Sequence, residues 1–314
     1  METRMDKRQH KKKRKWPYWI AGCLAVLILL IGGYVYYMWD KISDTMETMH
    51  NPLARDDDPE RQKELEARFQ ANQSINILLL GVDERAGDKG RSDTMILMSL
   101  NPKTDSMIMM SIPRDTYVNI PGHGMDKINH AYAFGDVPLS IQTVEEAFDL
   151  PIHFYAKINM QGFEQGIDAL GGVTVQNDMA FSQNGEHFPE GPIHLNGKQA
   201  LEFIRMRKKD PRGDMGRNER QRDVIKAAID EAASFSSMTK IKDILGIIGS
   251  NVETDMDKDR LQSLFSSYRG TRKNVKTIEI KGNGQYIGSI WYYVVADDEF
   301  NRIHNDISEH MEAD

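Results

Sequence analysis

WPYWIAGCLAVLILLIGGYVYYMW, residues 16–39, carries no charged side chain and follows a tail, residues 1–15, with eight Lys or Arg against two acids. About 20 apolar residues cross a bilayer as a helix, so this run predicts one N-terminal transmembrane helix. Trp16, Tyr18 and Trp19 stand at one end and Tyr34, Tyr36, Tyr37 and Trp39 at the other, where aromatic rings settle at membrane–water interfaces. A cleaved signal peptide would have a shorter apolar region and a small-residue cleavage site. Here the run ends in Tyr-Tyr-Met-Trp, which favours an uncleaved signal-anchor. Positive charge stays on the cytoplasmic side. The expected topology is a single-pass cell-membrane protein, with the basic tail in the cytoplasm and everything after Asp40 outside.

Charge and cysteine usage narrow the exported part. Residues 1–39 carry a net charge of +6 and the whole chain −7, so the remainder carries −13. An acidic exported domain argues against a general nucleic-acid surface, and positive-inside topology accounts for the basic tail. Cys23, the only cysteine, falls inside the apolar run. The exported domain therefore has neither disulfides nor a thiol nucleophile and relies on its core, which fits a Gram-positive type of envelope.

Residues 40–73 are polar and charge-rich and are expected to form an extracellular stalk, partly helical toward Phe69. The domain proper is expected over 74–314. INILLLGV (75–82), MILMSL (95–100) and MIMMSI (107–112) are near-continuous apolar runs of strand length, the pattern of a sheet covered on both faces. Helices are expected over 139–150, 160–172, from Asn196 as N-cap, and over 216–235, 240–250, 257–268 and 298–311. NVKTIEI and WYYVVA read as late strands. The expected fold class is α/β, a mixed central β-sheet sandwiched between helical layers.

Four segments carry candidate chemistry. In GVDERAGDKGRSDT (81–94), Asp83 lies just past one strand and Asp93 just before the next. If those strands pair, both carboxylates reach one rim of the sheet. Two carboxylates with water suit Mg²⁺, although Asp is also an ordinary turn and capping residue. In SIPRDTYV (111–118), Arg114 either aims a bidentate fork at an anion or pairs with Asp115 on the surface. GMDKINHAY (124–132) offers Lys127 among polar neighbours.

RMRKKDPRGDMGRNERQR (205–222) packs six arginines and two lysines into an otherwise acidic domain. Arg205 and Arg207 are two apart and suit an extended element. From Gly216 a helix is expected. At 100° per residue, Arg217, Gln221, Val224 and Ala228 share one face, with Glu219, Arg222, Asp223, Lys226 and Asp230 opposite. Arg217 and Gln221 thus continue the apolar stripe. A charge there needs a partner, either Asp214 or an anionic ligand. Lys208, Lys209, Arg212 and Arg222 read as solvated charges. The chain has no HExxH, G-x-S-x-G or P-loop spacing. Arginine, aspartate and a hard cation without a nucleophile point to phosphoryl chemistry by positioning and charge neutralisation.

LLLGVDER, RSDTM, SIPRDTYV, KINHAY and RMRKKDPRGDMGRNERQR, in that order, resemble the LytR-CpsA-Psr family, from about residue 74 to at least 235. The resemblance implies transfer of a polyprenyl-pyrophosphate-linked glycopolymer, such as wall teichoic acid, onto a muramic acid hydroxyl of peptidoglycan, with release of polyprenyl phosphate. The alternative is a non-catalytic protein that binds or senses such a lipid-linked glycan. By the same resemblance, Asp83 and Asp93 match the residues associated with a divalent metal, Mg²⁺ or Mn²⁺. Arg114, Arg205, Arg207, Arg217 and Gln221 match those contacting the pyrophosphate, and Lys127 is the KIN lysine. Where some members have a further Arg, this chain has Val118; that contact is either missing or supplied by Arg85 or Arg220. Asp83, Asp93 and Asp115 are all open as the base, and an apolar groove for the lipid is implied.

Overall fold

The apolar runs form the centre of the molecule. INILLLGV is strand β1 (Ile75–Val82), followed by β2 (Ser92–Asn101) and β3 (Ser106–Ser111). With β6 (Phe154–Asn159), β11 (Val252–Thr254) and β12 (Asn274–Ile278) they make one sheet in the order β11–β6–β1–β2–β3–β12. β1 runs antiparallel to β2 and parallel to β6, and β3 runs antiparallel to β2 and parallel to β12. The sheet is mixed, as expected. This computed structural model describes residues 49–83, 90–234, 249 and 251–314.

Near-continuous apolarity is explained by cover on both faces. Leu78, Leu80, Val82, Met95, Leu97, Ile108 and Met110 point into a core closed by α2 (His130–Phe148) and α6 (Asp297–Glu312), through Ile141, Val144, Phe148, Ile303 and Ile307. Their alternates Ile77, Ile96, Met98 and Met109 are buried as well. α2 begins earlier than the expected 139–150 because two helices abut. Gly135 and Asp136 leave helical geometry, and Pro138 opens the second piece, where its missing N–H costs nothing.

A second apolar cluster lies beside the sheet. It is built by α3 (Met160–Leu170), β7 (Val173–Asn177), the short β8 (Phe181–Gln183) and β9 (Glu186–Phe188), β10 (Gly191–Leu195), α4 (Gly197–Arg205) and α5 (Asp214–Ser234). Asn196 caps α4 in a reciprocal box with Gln199, which fixes where that helix starts. α5 reaches both layers, with Val224 in the second cluster and Arg222 on Ser111 of β3.

Among the described residues no helix is long and apolar enough to cross a membrane. The expected span over 16–39, the basic tail and the stalk up to residue 48 lie outside the described residues, as does nearly all of the helix expected over 240–250. The remainder of the expected stalk requires correction: residues 49–73 are docked on the domain. α1 (Pro59–Gln70) buries Leu65 and sets Phe69 against Phe154 and Tyr268. Arg55 reaches Ile152 O and Asp255, Arg61 reaches His153 O, and the Tyr155 hydroxyl donates to Asn51 O. A polar composition concealed this because the contacts are made by arginine forks and backbone carbonyls, with only a few apolar anchors.

Candidate active site

The register of β1 and β2 shifts between the pairs Gly81–Thr94 and Val82–Ser92, which leaves Asp93 as the extra residue of a β-bulge. A bulge breaks alternation and re-aims a side chain. Asp93 is aimed at Arg114, just beyond β3, whose NH1 donates to Oδ1 at 2.7 Å. Asp83 follows β1 at the same rim, with its N–H bonded to Arg91 O at 3.3 Å.

The SIPRD and KIN segments are stitched together by backbone. Ile128 N–H donates to Thr116 O at 2.8 Å and Asn129 N–H to Arg114 O at 3.2 Å. This places Lys127, the last residue of β5 (Gly124–Lys127), 2.6 Å from Asp115, which also faces Arg114 Nε at 3.6 Å. β5 pairs with β4 (Tyr117–Ile120). Asp93, Arg114, Asp115 and Lys127 thus form one continuous charged chain. Burial pulls the Arg114 pKa down, but Asp93, Asp115 and Asp214 outweigh it and the net shift is upward.

α5 brings the arginine-rich stretch to this chain. Asp214, its first residue, lies 2.8 Å from Arg217 NH2 and 3.9 Å from Arg207 NH1. The Arg217 approach is off the line that a hydrogen bond requires. Among the described residues, its buried Nε and NH2 have no hydrogen-bond partner. Burial pushes the Arg217 pKa down; Asp214 opposes this, while Arg114 reinforces it. A buried, incompletely bonded guanidinium next to a second one is costly in the free protein and is relieved by an anion with several oxygens. Gln221 is buried one turn further along the same face of α5.

Several expected site residues are placed otherwise. Arg205 ends α4 rather than a strand, and its NH1 faces Glu202 at 3.5 Å. It shares an exposed side with Arg207 only because Met206 between them is extended and buried. Arg220 is a structural pin: it donates to Asp210 at 2.6 Å, to Phe203 O and to Met206 O, all buried. It therefore cannot stand in for an arginine at position 118, where the Val118 side chain belongs to the core. Arg85 lies outside the described residues. Arg222, expected in solvent, is buried and donates to Ser111 Oγ at 3.0 Å. The one-face arithmetic failed there because α5 is covered from two sides. Motif spacing does not single out Asp210. Its signal is positional, an acid in an Asp-Pro turn, and Gly216 is small because a Cβ there would overlap the Asp210 carboxylate.

Among the described residues no group of three or more His, Cys, Asp or Glu is arranged to hold a metal ion. Asp83 and Asp93 remain a two-carboxylate rim, the number with which Mg²⁺ fills its shell from water and phosphate oxygens.

Known proteins resemble this chain in sequence and fold. A transferase from Oceanobacillus iheyensis, polyisoprenyl-teichoic acid–peptidoglycan teichoic acid transferase TagU, is 59% identical over 99% of both chains. The crystal structure of B. subtilis TagU matches with a TM-score of 0.63 and 41% identity, over 77% of this chain and 98% of that one. TagT bound to LIIa-WTA matches with a TM-score of 0.65 and 31% identity, over 76% and 91%. The sequence model of the LytR_cpsA_psr family covers residues 36–309, and with that span, the five motifs and the mixed sheet in agreement, the chain belongs to this family.

Proposed function

We propose that this protein is a phosphotransferase that moves an anionic glycopolymer, wall teichoic acid in kind, from a polyprenyl-pyrophosphate carrier to a muramic acid hydroxyl of peptidoglycan. The observation that carries this reading is Arg217, buried with hydrogen-bonding capacity unused beside Arg114. Its relatives are named as teichoic acid transferases, and one is described with a wall teichoic acid bound.

In this reading Arg114, Arg207 and Arg217 hold the pyrophosphate, with Lys127 and Gln221 at its edge and Arg205 nearer the mouth. Guanidinium forks stay charged and engage two oxygens at once. The muramic acid oxygen attacks the phosphorus that carries the polymer. A new P–O bond forms, the bond to the bridging oxygen breaks, and polyprenyl phosphate departs with that oxygen. The proton goes to a carboxylate among Asp83, Asp93 and Asp115. Little base strength is demanded if the transition state is loose. Pyrophosphate binding competes with Asp93 for Arg114, which frees the Asp93 carboxylate as substrate arrives. Asp83 and Asp93 would hold Mg²⁺ or Mn²⁺, which would neutralise charge on the phosphate oxygens. The apolar run at 16–39 would anchor the chain with this site outside the cell, close to the lipid carrier.

The test is transfer by the purified full chain in detergent, with Mg²⁺, of a labelled polymer from its polyprenyl pyrophosphate to isolated peptidoglycan. The expected product is label in a phosphodiester on the glycan, lost in Arg217→Ala. Carrier binding without product, however long the incubation, would instead identify a binding protein.

A further inference from the structure

Among the described residues, three of the five most exposed large apolar side chains sit on one hairpin, β13 (Asn283–Ile287) with β14 (Ile290–Val294). Gly288, at φ 63, opens its two-residue turn, a position that takes glycine. Tyr286 is 72% exposed and Trp291 36%, and the two are directly opposed across the hairpin, so their rings share a face. A Cβ on Gly284 would stand 2.7 Å from the Trp291 ring. The indole is therefore seated on bare backbone.

This hairpin is fastened to the charged chain of the site. Tyr293 N–H donates to Asp115 O at 2.8 Å, and Thr116 bridges Tyr293. On the opposite face Tyr292 packs on Tyr117, ring centroids 4.7 Å apart, and the Lys127 ammonium lies 5.7 Å from the Tyr292 centroid. Trp291 is two strand residues from Tyr293, about 7 Å along the chain.

Its chemistry differs from that of its neighbour. Residues 282–296 carry no charged side chain. A polyanionic polymer or an anionic lipid surface is recognised by lysine and arginine. Flat aromatic faces on a hairpin without charge suit an uncharged ligand with apolar ring faces, which is a chain of pyranose rings. We infer that Trp291 and Tyr286 form the platform on which the acceptor glycan strand lies, presenting its hydroxyl to the Arg114–Asp115 segment. This rests on the transferase reading above and assigns the acceptor side of that site.

The experiment uses the full chain in detergent with Trp16, Trp19 and Trp39 replaced by Phe, so that Trp291 is the one remaining indole of four. Titration with soluble, uncharged β-1,4-linked N-acetylglucosamine oligomers, which present the same pyranose faces, is expected to change its emission saturably, with Tyr286→Ala weakening the response. In the transfer assay Trp291→Ala is expected to raise the acceptor KM roughly tenfold, equivalent to about 1.4 kcal/mol, with the donor KM unchanged. Gly284→Ala, which displaces the indole without touching ligand, should act in the same direction, and Trp291→Phe should fall between. Unchanged acceptor KM in both Trp291→Ala and Gly284→Ala overturns the platform while leaving the transferase reading intact. Quenching of Trp291 by brominated phosphatidylglycerol in proteoliposomes, without a response to glycan, overturns it in favour of a lipid surface. If the wild type transfers nothing yet the oligomers still shift Trp291, the transferase reading fails and the glycan platform stands.

Discussion

Arg114 and Asp93, separated by 21 positions in the chain, meet at 2.7 Å because a bulge in β2 turns Asp93 out of the sheet toward the residue that follows β3. The pair is partly exposed, so an incoming phosphate can exchange for the carboxylate without opening the core. Arg114→Lys keeps a charge but loses the fork. Turnover should fall about 100-fold, in the range for removal of one preorganised donor. Steady-state kinetics against donor concentration checks this, and a drop of less than a few-fold would remove Arg114 from the site.

Arg217 is held in an unfavourable state in the free protein, so its removal should separate activity from stability. Arg217→Met is expected to abolish measurable transfer while the melting temperature stays at or above that of the wild type, the pattern of a strained functional group. Paired calorimetry and turnover measurements decide it. A large fall in melting temperature would make Arg217 structural.

Arg220 predicts the reverse. It joins Asp210 and two backbone carbonyls in a buried position, and breaking a buried ion pair on one side costs about 3–5 kcal/mol. Arg220→Met should lower stability by that order in chemical denaturation. Adding Asp210→Asn, which removes the stranded charge, should recover part of the loss.

Asp83 and Asp93 supply two carboxylates and no more. If they hold the cation, chelation should silence the wild type, and Mg²⁺ or Mn²⁺ should restore it. Asp83→Asn should raise the Mg²⁺ concentration needed for half-maximal turnover roughly tenfold or more, which a metal titration reads directly. Full activity in chelator would exclude the metal role.

Burial raises the Asp255 pKa to about 6, against the lowering pull of the Tyr155 N–H and of Arg55. A carboxylate raised in the folded state stabilises the fold fully below its ordinary pKa, and that contribution is lost as pH rises through about 6. Arg55 offsets the loss by pairing with the charged form at 3.1 Å. Arg55→Ala should therefore cost more stability at pH 7.5 than at pH 5, by up to about 2 kcal/mol, because the stranded carboxyl keeps its proton where the paired one loses it at about 6. Melting curves of both proteins across this range test it.

Local order in the sequence was enough for several of the elements and for the family. The bounds of β1 follow from its apolar run and closing glycine, α4 follows from the Asn196 cap, and the inward face of Arg217 and Gln221 follows from helical spacing. These depend on neighbours within one or two turns, so a linear reading reaches them. Tertiary structure decided which charges act together. Nothing in the spacing distinguishes Arg220, consumed by Asp210, from Arg217, left with bare N–H groups, because the difference lies in which carbonyls and carboxylates the folded chain brings within about 3 Å, the reach of a hydrogen bond. The docking of residues 49–73, the burial of Arg222 and the seat of Trp291 on Gly284 are of the same kind. Each depends on how the folded chain brings its segments together, and the energy of a charge or a ring depends on what surrounds it in space rather than on what precedes it in the chain.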